Sequence, residues 1–165
     1  MDDLASPDLS KRSLVDAPTN GSVRTLGDVL TRAGRSYVPP IGLEDILVIR
    51  HAFKPGDPIH LNGPEDLTQE RVIEYTRVQW PGRFPSKPPR YWVILVADGG
   101  LRSRLFGVFE NHGEVKRNDI ERIYDLRQSS FLSDLADRLV VEYTSPRSWY
   151  RYGKSAEGLS VLETR

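Results

Sequence analysis

Cationic and aromatic side chains alternate near the C-terminal end of the sequence. No acidic residue interrupts the segment 145–156. Cations neutralise phosphate groups, and aromatic rings stack on exposed bases, so this pattern indicates a nucleic-acid contact surface. The alternating residues are Arg147, Trp149, Tyr150, Arg151, Tyr152 and Lys154.

Two further groups of cations extend this surface. One lies in and just after the proline-rich segment 80–89, which has no acidic residue, and the other flanks a predicted hairpin turn. The same composition also fits a domain without such a site, because aromatic side chains pack in cores and arginines keep surfaces soluble. The predicted contacts to DNA, taken as duplex, are Arg83, Lys87, Arg90, Arg102, Arg104, Arg147, Arg151 and Lys154.

A metal-dependent nuclease is the alternative function. Asp98 ends a predicted strand and Glu114-Val115-Lys116 follows, as in PD-(D/E)xK sites, where two carboxylates hold Mg²⁺ and a lysine assists the attacking water. Asp98, however, suits a turn for local reasons, and Glu114 and Lys116 fall in a predicted loop rather than on a strand beside it. We therefore expect no catalysis by these residues.

The histidines predict no metal site. His51, His60 and His112 are not spaced as ligand pairs, and there is no HExxH motif. The sequence has no Cys, which excludes disulfides, thiolate catalysis and cysteine zinc sites. We expect neither a metal, nor a cofactor, nor a catalytic residue.

The overall composition is that of an ordinary globular protein. The 165 residues include 23 Lys plus Arg and 23 Asp plus Glu, so a nucleic-acid site must be a local patch. The first 22 residues are polar, without the apolar segment of a signal peptide, and predict a disordered tail before a single domain over 23–165. The longest apolar run is strand-sized, which predicts no membrane contact, and the absence of Cys fits a cytoplasmic address.

A hairpin in the middle of the sequence is the predicted centre of the fold. Two apolar runs, 91–98 and 101–109, flank Gly99-Gly100, a pair that suits a two-residue turn. In this register Val96 faces Ser103 and Ile94 faces Leu105. Trp92, Ile94 and Leu105 then share one face of the hairpin.

The other elements follow from local patterns. Thr25 and Thr68 are suitable N-caps for helices over 26–34 and 69–79, and a shorter helix is predicted over 129–137. Segments 43–51, 122–126, 139–144 and 160–164 read as strands, and 110–119 as a polar connection. Together they predict an α+β fold with a curved mixed or antiparallel sheet, or partly open β-barrel, of about six strands with two or three flanking helices.

Several segments occur in an order that resembles one bacterial family. As a set they are similar to the N-terminal region of certain GIY-YIG nuclease family proteins, over about residues 25–165. Neither tyrosine motif of that nuclease is found, and the segment 150–153 (YRYG) lacks its partner motif, so no catalytic residue carries over. The segments are 46–51 (ILVIRH), 89–92 (PRYW), 107–113 (GVFENHG), 138–141 (RLVV), Trp149 and 161–163 (VLE).

The resemblance implies a DNA-binding accessory domain that targets a nuclease to its substrate and has no catalysis of its own. Its partners are then DNA and a nuclease on a separate chain or domain. A third class of function is a protein-interaction or regulatory module, in which the aromatic segment near the C-terminal end binds a partner chain.

Overall fold

The computed structural model describes residues 24–144 and 150–164. Within them three helices surround a curled mixed sheet that forms a half-barrel, which confirms the predicted α+β fold. The predicted disordered tail over 1–22 lies outside the described residues. The helices are α1 (Leu26–Gly34), α2 (Gln69–Thr76) and α3 (Gly153–Ala156), and the strands are β1 (Ile46–His51), β2 (Val78–Gln79), β3 (Tyr91–Ala97), β4 (Arg102–Arg117), β5 (Arg122–Ser129), β6 (Leu139–Glu142), β7 (Tyr150–Tyr152) and β8 (Ser160–Thr164).

The longest strand, β4, organises the sheet. Six strands lie in the order β2-β5-β4-β3-β1-β7, while β6 pairs with the first part of β4 and β8 pairs with β6. β1 and β3 run parallel, and the other pairs are antiparallel. β4 and β3 therefore lie in the middle of this order, and β1 is also an interior strand, between β3 and β7.

The turn of the central hairpin is one residue longer than predicted. The Asp98 N–H donates to the Arg102 carbonyl at 2.8 Å, and Val96 pairs with Arg104 instead of Ser103. The loop between the strands thus has three residues, 99–101. Gly99 and Gly100 both have positive φ, and glycine adopts that conformation without the steric penalty of a side chain.

A β-bulge changes the register further along the same hairpin. Leu95 pairs with Leu105, and the next pair is Ile94 with Gly107, so Phe106 is the extra residue. A shift of one residue exchanges the faces of a strand. The longer turn has already shifted the segment before the bulge by one residue, so Leu105 packs with Leu95 and Phe106 packs on the side of Trp92, which is the reverse of the predicted arrangement. The bulge then returns the residues after it to the faces of the predicted register.

Each face of the sheet carries its own hydrophobic cluster. Helix α1 covers one face, and α2 with the loop before β3 covers the other. The central strand β1 shows this directly, because Ile46 belongs to the α1 side and Leu47 to the α2 side, both fully buried. A strand that is buried on both faces reads as a continuous apolar run, as the predicted strand does.

The predicted helix starts are confirmed. The Thr25 hydroxyl accepts the Asp28 N–H at 3.2 Å, and the Asp28 carboxylate accepts the Thr25 N–H, which completes a capping box for α1. The Thr68 hydroxyl likewise accepts the Arg71 N–H at 3.2 Å before α2.

Two other predictions are wrong. The polar connection over 110–119 belongs mostly to β4, which continues to Arg117 and pairs with β5. The helix over 129–137 is reduced to a single 3₁₀ turn, Ser133–Leu135, preceded by Leu132 with φ 61. That left-handed residue interrupts a helix before it forms a full turn. Phe131, Leu132 and Leu135 are nevertheless buried, as predicted.

Candidate nucleic-acid interface

The predicted DNA-contacting cations lie at opposite ends of the sheet. Arg90 immediately precedes β3, whereas Arg102 and Arg104 follow the turn beyond its other end. The seven residues of β3 span about 20 Å. The two groups therefore do not extend a single patch.

Of the cations in the C-terminal segment, the structure describes the side chain of Lys154. Lys154 is exposed in α3, which follows β7, and β7 places Tyr152 opposite Leu47 near the start of β1. This is the Arg90 end of the sheet, because Ile46 pairs with Tyr91. The backbone of Arg151 belongs to β7, while its side chain, together with Arg147 and Trp149, lies outside what the structure describes.

Arg90 and Arg104 are held by carboxylates. The Arg90 guanidinium pairs with Glu110, and this hydrogen bond raises the pKa of Arg90. Arg104 pairs with Asp98 at 2.7 Å and also donates to the Asp137 carbonyl at 3.1 Å. Arg104 thereby joins the hairpin tip to the segment before β6, so much of its charge is already neutralised within the fold.

The residues of the alternative nuclease site are far apart. Glu114 is on a strand, contrary to prediction, but it and Asp98 lie towards opposite ends of the 16-residue β4, roughly 40 Å apart along the strand. Hydrogen bonds from Arg117 and Arg122 lower the pKa of Glu114 to about 2. Within residues 24–144 and 150–164, no three His, Asp or Glu side chains are grouped as a metal ion requires.

Arg122 fastens the proline-rich loop to the sheet. Its side chain is only 5% exposed, and its Nη1 and Nη2 donate to the carbonyls of Pro85 and Ser86 at 3.0 and 2.9 Å. Its Nε donates to Glu114 at 2.9 Å, and its guanidinium lies 5.3 Å from the centre of the Tyr124 ring. Two nitrogens of this buried guanidinium thus hold the loop in place, and the third pairs with Glu114 on β4.

Apolar contacts hold the same loop from inside. The Phe84 ring packs at 5.0 Å from Trp92 and 5.9 Å from Tyr124, within the cluster on the α2 side. The buried indole of Trp92 donates to the Pro89 carbonyl at 2.9 Å. The loop is therefore fixed along most of its length, which proline content alone does not establish.

The turn that opens this loop carries an exposed aromatic residue and an exposed cation. Pro81 and Gly82 occupy its centre, Gly82 has φ 86, and the Arg83 N–H donates to the Trp80 carbonyl at 3.4 Å. Proline followed by a residue with positive φ is the pattern of a type II turn, which brings its first and fourth residues together. Trp80 is 60% exposed, and Arg83 and Lys87 are exposed as well.

Sequence reasoning missed both Arg122 and Trp80. In segment 122–126 the apolar Tyr124 and Leu126 alternate with outward residues, and Arg122 shares their parity. A charged residue at an inward position of a strand is the signal that predicts a structural arginine. Trp80 directly precedes Pro81-Gly82, a pair typical of turns, and turns lie at the surface.

His51 lies in a separate, closed cluster next to α2. Its Nε2 is 2.8 Å from the Thr76 hydroxyl, and its ring is 4.9 Å from that of Tyr75. Burial lowers the pKa of His51 to about 4, so the ring is neutral at physiological pH. On the other side of Tyr75, His60 pairs with Asp57 at 2.8 Å. This cluster connects β1, α2 and the preceding loop.

Comparisons with known proteins were made at three levels. No protein-family model, no curated protein and no solved structure matches this chain. The resemblance to the GIY-YIG-associated region stays a prediction. None of the helices in the described part of the chain has the length and apolar character needed to cross a membrane.

Proposed function

We propose that this domain binds DNA through the loop 80–90, with Arg83 and Lys87 as phosphate contacts, and that it acts as the accessory domain of a nuclease located elsewhere. One observation carries the proposal. Arg122 holds the backbone of the loop through two hydrogen bonds, and the loop carries two exposed cations with no acidic residue between them.

Because the loop is already ordered, a small number of phosphate contacts can give measurable affinity for DNA. A mobile loop loses conformational entropy when it binds, and a loop that is already ordered avoids much of that loss. Contacts to phosphate position a protein on DNA without reading its sequence. A rigid basic loop on an otherwise neutral chain therefore suits a domain that positions DNA for another catalytic unit.

The direct test is a titration of labelled duplex DNA at several salt concentrations. Arg83→Ala/Lys87→Ala removes two exposed cations and should weaken binding at least tenfold at low salt. The slope of log K against log salt should fall by about 2, close to one for each lost phosphate contact. Cleavage is recorded in the same samples with Mg²⁺ present, and we expect none.

The matched control removes the same charge from the other face of the sheet. Arg32→Ala/Arg35→Ala alters two exposed cations on and just after α1, so binding and its salt slope should stay close to those of the parent. If Arg83→Ala/Lys87→Ala and this control bind duplex DNA with equal affinity, the proposal is contradicted. Binding that disappears in Arg147→Ala/Arg151→Ala/Lys154→Ala, but not in the loop variant, assigns the contact to the C-terminal segment.

A protein-interaction module is the second candidate function, and exposed apolar residues favour it. Val78 and Trp80 lie in and just after edge strand β2, at the end of the sheet where the turn between β4 and β5 exposes Ile120. The affinity for a protein partner bound through these apolar residues should change little with salt concentration, because salt screens charges and has little effect on the burial of apolar area.

A further inference from the structure

We infer that Trp80 is a stacking platform for an unpaired base, so that the preferred ligand of the loop is single-stranded DNA. The inference rests on the proposed function and specifies its substrate class. It starts from the contrast between two tryptophans of the same region: Trp92 is fully buried and anchors the loop, whereas Trp80 exposes 60% of its surface.

The backbone fixes where the Trp80 ring can be. Pro81 has a restricted φ, Gly82 supplies the positive φ of 86, and the hydrogen bond from Arg83 to Trp80 closes the turn. On its other side Trp80 follows Gln79, whose amide donates to the Thr76 carbonyl at 2.7 Å. The ring is therefore carried by a defined turn between two anchored segments.

The arrangement of groups matches a single nucleotide. The turn brings the backbones of Trp80 and Arg83 together, and both side chains are exposed, while a nucleotide presents a phosphate next to a base. Lys87 is also exposed further along the same loop, where a second phosphate of the strand would lie. Aromatic rings combined with a cationic track are the usual means of binding single strands without sequence preference.

A duplex does not use such a ring well. Its bases are already stacked on one another, and extruding one costs a few kcal/mol. A single strand presents the face of each base freely, so the ring gains the stacking contact without that cost. We therefore expect the parent protein to bind a single strand more tightly than a duplex of the same length.

The test compares fluorescein-labelled oligothymidylate with a duplex of equal length by fluorescence anisotropy. Trp80→Phe keeps an aromatic face and should bind the single strand nearly as the parent does. Trp80→Leu keeps an apolar side chain without a π face and should bind it roughly 10- to 100-fold more weakly, as should Trp80→Ala. Because Trp80 is exposed, these variants should keep the parental melting temperature.

A spectroscopic measurement separates direct contact from an indirect effect. In protein labelled with 5-fluorotryptophan, the ¹⁹F resonance that disappears in Trp80→Phe should shift when oligothymidylate is added. The resonance of the buried Trp92, assigned with Trp92→Phe, should stay in place.

The outcomes distinguish the inference from the proposed function. If the parent and Trp80→Leu bind duplex and single strand with the same salt-dependent affinities, the proposal of a DNA-binding loop stays intact, but the stacking role of Trp80 is overturned. Equal binding of single strand by Trp80→Leu and Trp80→Phe likewise overturns it. No binding of either nucleic acid at low salt contradicts both and favours the protein-interaction module.

Discussion

Two arginines in the described part of the chain, Arg50 and Arg122, are buried and have structural roles. Arg50 is buried at the end of β1, where its Nε donates to the Ser103 hydroxyl at 2.7 Å and its guanidinium lies over the Tyr143 ring. Arg122 holds the proline-rich loop in the same manner. A planar guanidinium offers five donors in a fixed geometry, which suits it to fasten carbonyls and rings that the chain brings together.

His51 predicts a specific acid sensitivity. The folded protein holds its pKa at about 4, below the ordinary 6.5, so the unfolded chain binds the proton more readily between these values. The contribution of neutral His51 to the free energy of unfolding should be fully present above pH 6.5. It should decrease as the pH is lowered, so that the free energy of unfolding falls by about 2 kcal/mol at pH 5. Urea denaturation at pH 7 and pH 5 measures this loss.

Two variants isolate the contribution of His51. His51→Gln cannot titrate and should remove most of the difference between pH 7 and pH 5, whereas Trp80→Phe, which changes no titratable group, should leave it unchanged. Glu114 does not interfere in this range: its lowered pKa means that its contribution is present above 4.5 and is lost only below that value. An unchanged pH dependence in His51→Gln would refute this assignment.

At the scale of elements, the fastening of the loop 80–90 to β5 is the feature on which the proposed site depends. Arg122→Met keeps much of the side-chain volume but leaves the Pro85 and Ser86 carbonyls without these donors. We expect a loss of about 1–3 kcal/mol in stability and faster hydrogen exchange in residues 82–91. DNA affinity should fall although no exposed cation has changed.

A matched variant separates the loop from the ion pair. Arg117→Met removes the other partner of Glu114, a residue whose side chain is 59% exposed, and should cost less than 1 kcal/mol. Loop exchange and DNA affinity should then resemble the parent. Slow exchange of the loop in Arg122→Met would show that Phe84 and Trp92 are sufficient to hold it.

Close packing at the end of α1 gives a second prediction at this scale. A Cβ at Gly34 would collide with the backbone carbonyl oxygen of Ile41, so either the helix or the following segment would have to move. Gly34→Ala should therefore destabilise the protein by about 1–3 kcal/mol. Gly158→Ala, where the added Cβ meets open space, is the control and should change the melting temperature little.

At the scale of the whole molecule, the described residues form one sheet between two hydrophobic clusters, and this arrangement predicts cooperative unfolding. Ile46 and Leu47 are adjacent in β1 but belong to opposite clusters. Ile46→Ala and Leu47→Ala should each cost about 2–5 kcal/mol and lower one common transition. Far-UV circular dichroism and tryptophan fluorescence should coincide in both variants, and separate midpoints would mean that the clusters unfold independently.

Local sequence determined the features whose causes are local. Thr25 and Thr68 mark the helix starts because a hydroxyl reaches an N–H only three residues away. The apolar runs of β1 and β3 indicate central strands because both their faces are buried. The α+β class and the curved sheet follow from such segments together.

Only the tertiary structure decided the hairpin register, the extent of β4 and which cations share a surface. The three-residue turn exchanges the faces of β4 as far as the bulge at Phe106, which restores them, and no local pattern in the sequence specifies that combination. Arg122 and Pro85 meet across 37 residues, and Arg90 and Arg104 are neutralised by carboxylates that the fold brings to them. Charge and aromaticity are properties of a single residue. Its exposure and its hydrogen-bond or ion-pair partners depend on distant parts of the chain, and exposure and partners decide which residues can contact a ligand.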